Sequence, residues 1–318
     1  MRIIVKEQKD MWRGHQPVLA DSVLHVLDPK PGKVLFDGTI GGGGHAKLLL
    51  EKGVFLIGCD LDADAIAHAK QFLTEYSDNL QLIHLGYDEV SLNPSSLDGI
   101  IIDLGVSSHQ LESPHRGFSF LSDGPLDMRM DTTRGRTAEN ILSESSDEEI
   151  FNLLLDIENS PQMKLLAHAL IKERKKTHFK TTRQLASWVE KFWGTRWRRS
   201  HHPATLLFLA LRVAVNQELQ RLHSFLTTAP QALKPGGVLA VITFHSSEDQ
   251  LVKKSFRTFT QPWLDTDLWP NSISNPNCIC EPVTKKPLVP SQEEIAQNPR
   301  ARSAKLRAIR RIDKTRTT

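Results

Sequence analysis

The sequence predicts an α/β fold: a parallel sheet interrupted part-way along the chain by a helical insert. Three observations predict it. A short apolar run at residues 34–36 leads through Asp37 into four consecutive glycines, 41–44, and then directly into a helical pattern at 45–52. A second apolar run, 54–58, ends beside Asp60, and a third, 97–102, ends in Asp103. Apolar runs without alternation, separated by helical segments, read as strands covered on both faces, so the first three strands should be parallel and buried.

Taken in order, the first unit is strand, glycine turn, helix, strand and acid. This is the layout of a nucleotide-binding βαβ unit whose acid holds ribose hydroxyls. The glycines let the backbone turn sharply and approach a ligand closely. Gly41, Gly43 and Ala46 also satisfy the pattern G-x-G-x-x-A, which on its own points to NAD. Asp37 argues otherwise, because a carboxylate beside a pyrophosphate site repels the ligand. S-adenosylmethionine carries an ammonium and a sulfonium and no phosphate, so an acid at the strand end suits it. It is the expected cofactor. Residues 80–84 supply another strand, with Tyr87 after it, where an aromatic ring can cover an adenine. Asp103, followed by Leu104-Gly-Val-Ser-Ser108, stands at a strand's carboxyl end in the ligand crevice of such a sheet.

Beyond the insert, residues 206–222 read as one helix with a long apolar face. Lys234-Pro-Gly-Gly237 then turns the chain into the strand 238–244. In Phe244-His-Ser-Ser-Glu-Asp249, Ser246 with Asp249 makes a capping box for a helix through Lys254, which leaves His245 to face the cleft. His202 and Arg212 flank a helix start and could meet phosphate.

The insert is marked by charge. From 139 to 158 the charges are all acidic, and from 172 to 199 nearly all basic, with Lys175, Lys176 and Lys180 among them. Both stretches have helical apolar spacing: Ile150, Leu153, Leu154 and Ile157, then Leu165, Leu166, Ala169 and Leu170. Ser146 with Glu149 reads as a capping box. Trp188, Trp193 and Trp197 lie among the basic residues, as insert core or as a stacking surface for nucleic acid. The expected division is a first sheet segment at 1–111, a helical, substrate-recognising insert at 112–205, and a second sheet segment at 206–318 that ends in a basic tail. That tail, with Arg300, Arg302, Lys305, Arg307, Arg310, Arg311, Lys314 and Arg316, reads as a solvated terminus or as a second contact to RNA or DNA.

Composition bounds the rest. The chain has 318 residues, 39% hydrophobic and 24% charged, enough for about two soluble domains. No apolar run approaches the ~20 residues of a membrane span, and the first residues do not read as a secretory signal, so a cytoplasmic location without a membrane partner is expected. Cys59, Cys278 and Cys280 make no disulfide framework. Cys278-Ile-Cys280 lacks the second pair a zinc site needs, so no metal is expected.

Several stretches resemble the bacterial ribosomal RNA small-subunit methyltransferase H family (RsmH, also MraW). They are His15-Gln-Pro-Val-Leu19, Asp37-Gly-Thr-Ile-Gly-Gly-Gly-Gly-His45, Asp103-Leu-Gly-Val-Ser-Ser108, Arg116-Gly-Phe-Ser-Phe120, Asp123-Gly-Pro-Leu-Asp-Met-Arg-Met-Asp131, His202-Pro-Ala-Thr205, Phe244-His-Ser246 and Asn298-Pro-Arg-Ala-Arg-Ser303. They run in order over nearly the whole chain. The resemblance implies a Rossmann-like class I S-adenosylmethionine-dependent methyltransferase with an inserted helical domain, acting on the N4 of one cytidine in the decoding region. It places cofactor contacts on Gly43, Gly44, His45, Asp60, Tyr87, Asp103 and Gln110, to which the residue-level reading adds Asp37. The implied substrate is small-subunit ribosomal RNA or the assembled subunit, and a homodimer stays open. The chain departs from the family at Tyr87, more often Phe. It also departs at His109, usually Pro, and at Leu206 and Leu209, usually Arg and Gln.

Methyl transfer from a sulfonium is an in-line displacement, so most of the work is positioning. Asp103, as the candidate catalytic residue, could accept the N4 hydrogens, as could the carbonyls of Leu104 and Gly105; a role in holding cofactor alone is the alternative. His202, Arg212 and His245 are the candidate RNA contacts. The competing functional readings are an NAD-linked oxidoreductase and a non-catalytic RNA-binding assembly factor that keeps the cofactor fold.

Overall fold

The structure, a computed structural model, describes residues 17–197, 201–264 and 273–313. Of the residues singled out above, His15, Gln16, Arg198, Arg199, Lys314 and Arg316 lie outside the described residues. The chain separates into a helical unit, Val106–Gln217, and a sheet unit made of the described parts of Gln16–Gly105 and Glu218–Thr318.

The sheet unit begins with α1 (Ala20–Leu27), β1 (Val34–Asp37), α2 (Gly44–Leu50), β2 (Phe55–Asp60), α3 (Ala63–Phe72), β3 (Leu80–His84) and β4 (Leu97–Asp103). The helical unit holds α4 (Ser108–Glu112), α5 (Ala138–Glu144), α6 (Asp147–Leu155), α7 (Pro161–Glu173), α8 (Thr182–Trp193) and α9 (Thr205–Val215). The sheet unit resumes with α10 (Glu218–Ala232), β5 (Leu233–Thr243), α11 (Ser246–Thr260), β6 (Trp263–Leu264), β7 (Ile273–Ser274), β8 (Cys280–Pro282), α12 (Gln292–Gln297) and β9 (Lys305–Arg311).

Seven strands form one sheet in the order β3-β2-β1-β4-β5-β9-β8. β1 to β5 pair in parallel, whereas β9 runs antiparallel to both β5 and β8. This is the Rossmann-like α/β architecture expected, with helices on both faces. Alternation along the strands feeds two cores. Leu35 and Ile101 join α1 and α2 on one side, while Phe36, Ile100 and Ile102 join α10 and α11 on the other. β3, the further strand expected at 80–84, pairs only with β2, at the sheet edge, and is half-exposed along its length. In β5 the Lys234-Pro-Gly-Gly237 segment is a register shift, since Leu97 pairs with Leu233 and the next pair is Gly99 with Val238.

Residues 305–311 of the C-terminal basic run are no solvated tail. Lys305–Arg311 is β9, with Leu306, Ala308 and Ile309 buried between β5 and β8. Its cations leave the strand sideways: Lys305 and Arg307 reach Asp249 of α11, and Arg310 reaches Glu281 of β8. The apolar alternation in Lys305-Leu-Arg-Ala-Ile-Arg-Arg is masked by its charge.

In the helical unit, capping boxes open α5 (Thr137 with Asn140), α6 (Ser146 with Glu149) and α8 (Thr181 with Gln184). The buried stripe of α7 is Met163, Leu166, Ala167 and Leu170, so Leu165, expected inside, is 48% exposed. The acidic and basic stretches meet in part, for Asp147 binds Arg174 at 2.6 Å and Lys175 at 2.7 Å. The tryptophans pack on one another and on phenylalanine: Trp188 stacks on Phe192, Phe192 meets Trp193 edge to face, and Trp193 leans on Trp197, with Trp193 buried. The helix expected at 206–222 is two, α9 and α10. Asn216 breaks it: its amide donates to Met128 O and Arg212 O and accepts from the Met130 N–H, and Gln217 follows at φ +52°. α9 therefore packs on α5 and α6 inside the helical unit, which is wider at both ends than the 112–205 insert read from charge.

Candidate active site

β1 lies between β2 and β4, where the strand order reverses, and the three neighbours end in Asp37, Asp60 and Asp103 at one edge of the sheet. Ligands of open parallel sheets bind at such a reversal. The loop after β1 ties these acids together. The Thr39 N–H donates to Asp37 Oδ1 at 3.0 Å, while Thr39 Oγ1 accepts the Asp103 N–H at 2.7 Å. The Gly41 N–H donates to Asp60 Oδ2 and the Asp62 N–H to Asp60 Oδ1, each at 2.9 Å. Asp60 thus fixes the glycine turn as well as facing the site. Gly43, at φ +80°, takes a left-handed conformation that starts α2. Gly44 and His45 form its first turn, and the His45 ring is buried with Nε2 3.4 Å from Asp103 Oδ2.

Crowding acids in a buried place costs ionisation. Burial pushes Asp37 up to about 7, with Asp103 and Asp60 adding to the rise and His45 opposing it. Burial likewise raises Asp60 to about 6. Both ring nitrogens of His45 and Asp103 Oδ1 are buried and make no hydrogen bond. Buried polar atoms are ordinarily satisfied, so an orphaned set beside three carboxylates fits a ligand that is cationic and rich in donors. S-adenosylmethionine has that chemistry, whereas a pyrophosphate would meet carboxylates.

Tyr87 follows β3 and is buried edge-on against Phe225, with ring centroids 5.2 Å apart, and burial pushes its hydroxyl well above the usual range. It faces Gly38, where a Cβ would overlap Ile102 Cδ1 and come within 2.8 Å of Tyr87 Cβ. Asp37, Gly43, Gly44, His45, Asp60 and Asp103 are therefore brought together around one turn, with Tyr87 packed against its start. His245 stands at the end of β5, beside β4. It is itself the N-cap of α11, its Nδ1 accepting the Glu248 N–H while Nε2 lies 3.0 Å from Glu248 Oε1. The expected cap at Ser246 is thus displaced by one residue. An imidazole acceptor with a glutamate three positions on closes the box equally well.

The other candidates belong to the helical unit. Gln110 is buried in a capping box with Ser107. His202 Nε2 meets Glu190 at 2.6 Å, its Nδ1 accepts the Ala204 N–H, and its ring packs on Phe120. Arg212 lies on α9, half-buried. Among the described residues, no group of three or more His, Cys, Asp or Glu is arranged to hold a metal. The three thiols are free, and burial pushes Cys280 up to about 12.

The chain matches the model of the MraW methylase family over residues 13–312. It belongs to that family. MraW relatives include proteins named ribosomal RNA small subunit methyltransferase H. The one from Syntrophotalea carbinolica is 42% identical, with 94% of this chain and 98% of the relative covered. The one from Carboxydothermus hydrogenoformans is 38% identical at the same coverage. The solved structure of an rRNA methylase from Streptococcus thermophilus aligns over 92% of this chain and 94% of that one at 11% identity and a TM-score of 0.37, too loose a likeness to argue from.

Three residues of the site carry little signal in the sequence: Thr39, Gly38 and Glu248. Thr39 joins two of the acids, yet a threonine in a glycine-rich loop carries no signal of its own. Gly38 was hidden among its neighbours. Glu248 is 1% exposed and accepts the Phe244 and His245 N–H groups. The signal is the spacing His245-Ser-Ser-Glu248, a capping box with histidine in the place of serine or threonine.

Proposed function

We propose that this protein methylates the N4 amino group of one cytidine in the decoding region of small-subunit ribosomal RNA. The observation that carries the reading is Asp103, held from behind by Thr39 and faced by His45, with Oδ1 buried and unpartnered at the edge where the acids converge. Membership of a methylase family and the names of the relatives support the reaction and the substrate class.

S-adenosylmethionine, when bound, supplies an electrophilic methyl group on sulfur. Asp37 would hold its ammonium, Asp60 its ribose and Tyr87 its adenine, with Gly43, Gly44 and His45 lining the turn and Gln110 as a further contact. The chain's own task is to make a poor nucleophile react. The N4 lone pair of cytosine is delocalised into the ring. Asp103 Oδ1 accepts an N4 hydrogen, which localises that pair and aims the nitrogen. Thr39 fixes the Asp103 backbone N–H, and the His45 ring stands 3.4 Å from Asp103 Oδ2. No strong base is needed, because the amine becomes acidic as the new bond forms.

The NAD reading is disfavoured by Asp37, and calorimetric titration with each cofactor separates the two. The decisive experiment is nucleoside mass spectrometry of small-subunit RNA from cells with and without the gene. N4-methylated cytidine should vanish without it, return with the wild type, and fail to return with Asp103→Asn. Persistence of that nucleoside in the deletion would refute the assignment. Its return with the Asn variant would remove Asp103 from the chemistry.

A further inference from the structure

Many of the cations that stand out in the sequence are engaged within the fold. Lys175 and Arg174 share Asp147, Lys305 and Arg307 share Asp249, and Arg310 faces Glu281. α11 carries two acids and three cations. Both of its acids turn inward: Glu248 closes the helix cap, and Asp249 is held by Arg307 and Lys305. Its exposed charges are then Lys253, Lys254 and Arg257, all positive. Three cations less two acids leave the helix at +1 by sequence, yet the side facing solvent presents all three cations and no acid. Residues at i, i+1 and i+4 lie toward one side of a helix, so these charges form a single patch.

The patch leads to an exposed aromatic. Arg257 Nε donates to Gln261 Oε1 at 2.6 Å, which draws the guanidinium toward the helix's end, and the β6–β7 ribbon starts two residues later. Trp263 there is 54% exposed, with Leu264 at 42% and Ile273 at 48%. The ribbon is fixed to the helix by the buried Asn275, whose amide donates to Thr258 O at 2.7 Å and Gln261 O at 2.8 Å. A two-stranded ribbon exposed along both strands has little stability of its own, so anchoring it presents its side chains outward. Cations in a row beside an exposed tryptophan suit a polyanion whose bases can stack.

We propose that the outer side of α11, together with Trp263, is a second RNA-binding surface that grips ribosomal RNA away from the target nucleotide. The inference rests on the RNA reading of the active site. At 1.5 Å per residue, Lys253 to Arg257 lie about 12–18 Å along the helix from His245. The surface therefore engages RNA well beyond the cytidine being modified.

The test is equilibrium binding of purified small-subunit ribosomal RNA by the full chain across a salt series. Lys253→Gln, Lys254→Gln and Arg257→Gln together should flatten log K against log salt by about 2, from roughly 0.7 for each of three phosphates. Trp263→Ala should weaken binding at least about fivefold, the lower end of a lost base stack. S-adenosylmethionine affinity and the melting temperature should stay at wild-type values in both. An unchanged salt slope in the triple variant overturns the proposal. So does a wild-type dimer that dissociates in the variants while RNA affinity holds, because the face would then meet a second copy of the chain. Failure of the wild type to bind this RNA at all would instead overturn the functional reading beneath it.

Discussion

At the scale of single residues, the site is a place where burial works against negative charge. Asp37 has a folded value of about 7 against 3.8 for a free carboxyl. The folded state therefore keeps a proton that the unfolded chain releases. Stability without cofactor is greatest below the free value, falls as pH rises toward 7, and is flat beyond, a total on the order of 4 kcal/mol at most. Asp37→Asn keeps an acceptor for Thr39 and removes the titration. Urea midpoints of the two proteins should coincide near pH 4, and the variant should be the more stable at pH 8; parallel curves would mean the carboxyl titrates alike in the folded and unfolded states. Asp103 makes a kinetic prediction. If it orients the amine, Asp103→Asn should lower single-turnover methylation about 100-fold or more at saturating cofactor while cofactor Kd moves little. Recovery at saturation would restrict Asp103 to holding cofactor. The acids were legible because each ends an apolar run and a strand end is a definite place. Thr39 and the cap at His245 were not, because their importance lies in which backbone N–H they meet, and spacing alone does not fix that.

At the scale of elements, β9 and α11 depend on each other. Burial disfavours a charge on Asp249, but hydrogen bonds from Arg307 and Lys305 hold its carboxyl below the usual range. A depressed folded value means the ionised group stabilises the fold above the ordinary carboxylate range and that this contribution is lost as pH falls through the folded value. Asp249→Asn should cost roughly 1.5–3 kcal/mol at pH 7 in chemical denaturation, and the gap should close in acid. A gap that persists in acid would indicate a packing effect instead. Leu306→Ala, in the middle of β9, should cost about 2–5 kcal/mol, and removing everything after Asn298 should unfold the sheet unit rather than merely trim a tail. The parallel strands were readable from their unbroken apolar runs. β9 was not, since its outward positions are arginine and lysine, and composition hid a strand whose inward positions are ordinary core.

At the scale of the molecule, the chain leaves the sheet unit after Gly105 and re-enters it at Glu218. The helical unit buries its own apolar stripe from α5, α6, α7 and α9 and has its own capping boxes. Residues 106–217 expressed alone should give a helical circular dichroism spectrum and a cooperative thermal transition. A featureless melt would mean that this core is completed only by the rest of the chain. The charge reversal made the unit visible in sequence, but its edges were misplaced because α9 is apolar on most sides and looks like a continuation of α10. The placement of β9 also has a temporal consequence. Thr243, at the end of β5, and Lys305, at the start of β9, are neighbours in the sheet but lie 62 positions apart in the chain. During synthesis the flank of β5 stays unzipped until that whole stretch has emerged, an interval of several seconds at cellular elongation rates of ~5–20 residues per second. The nascent protein is thus committed to a pause with an open, sticky border, which makes this flank the place where a chaperone would act or where misassembly would start.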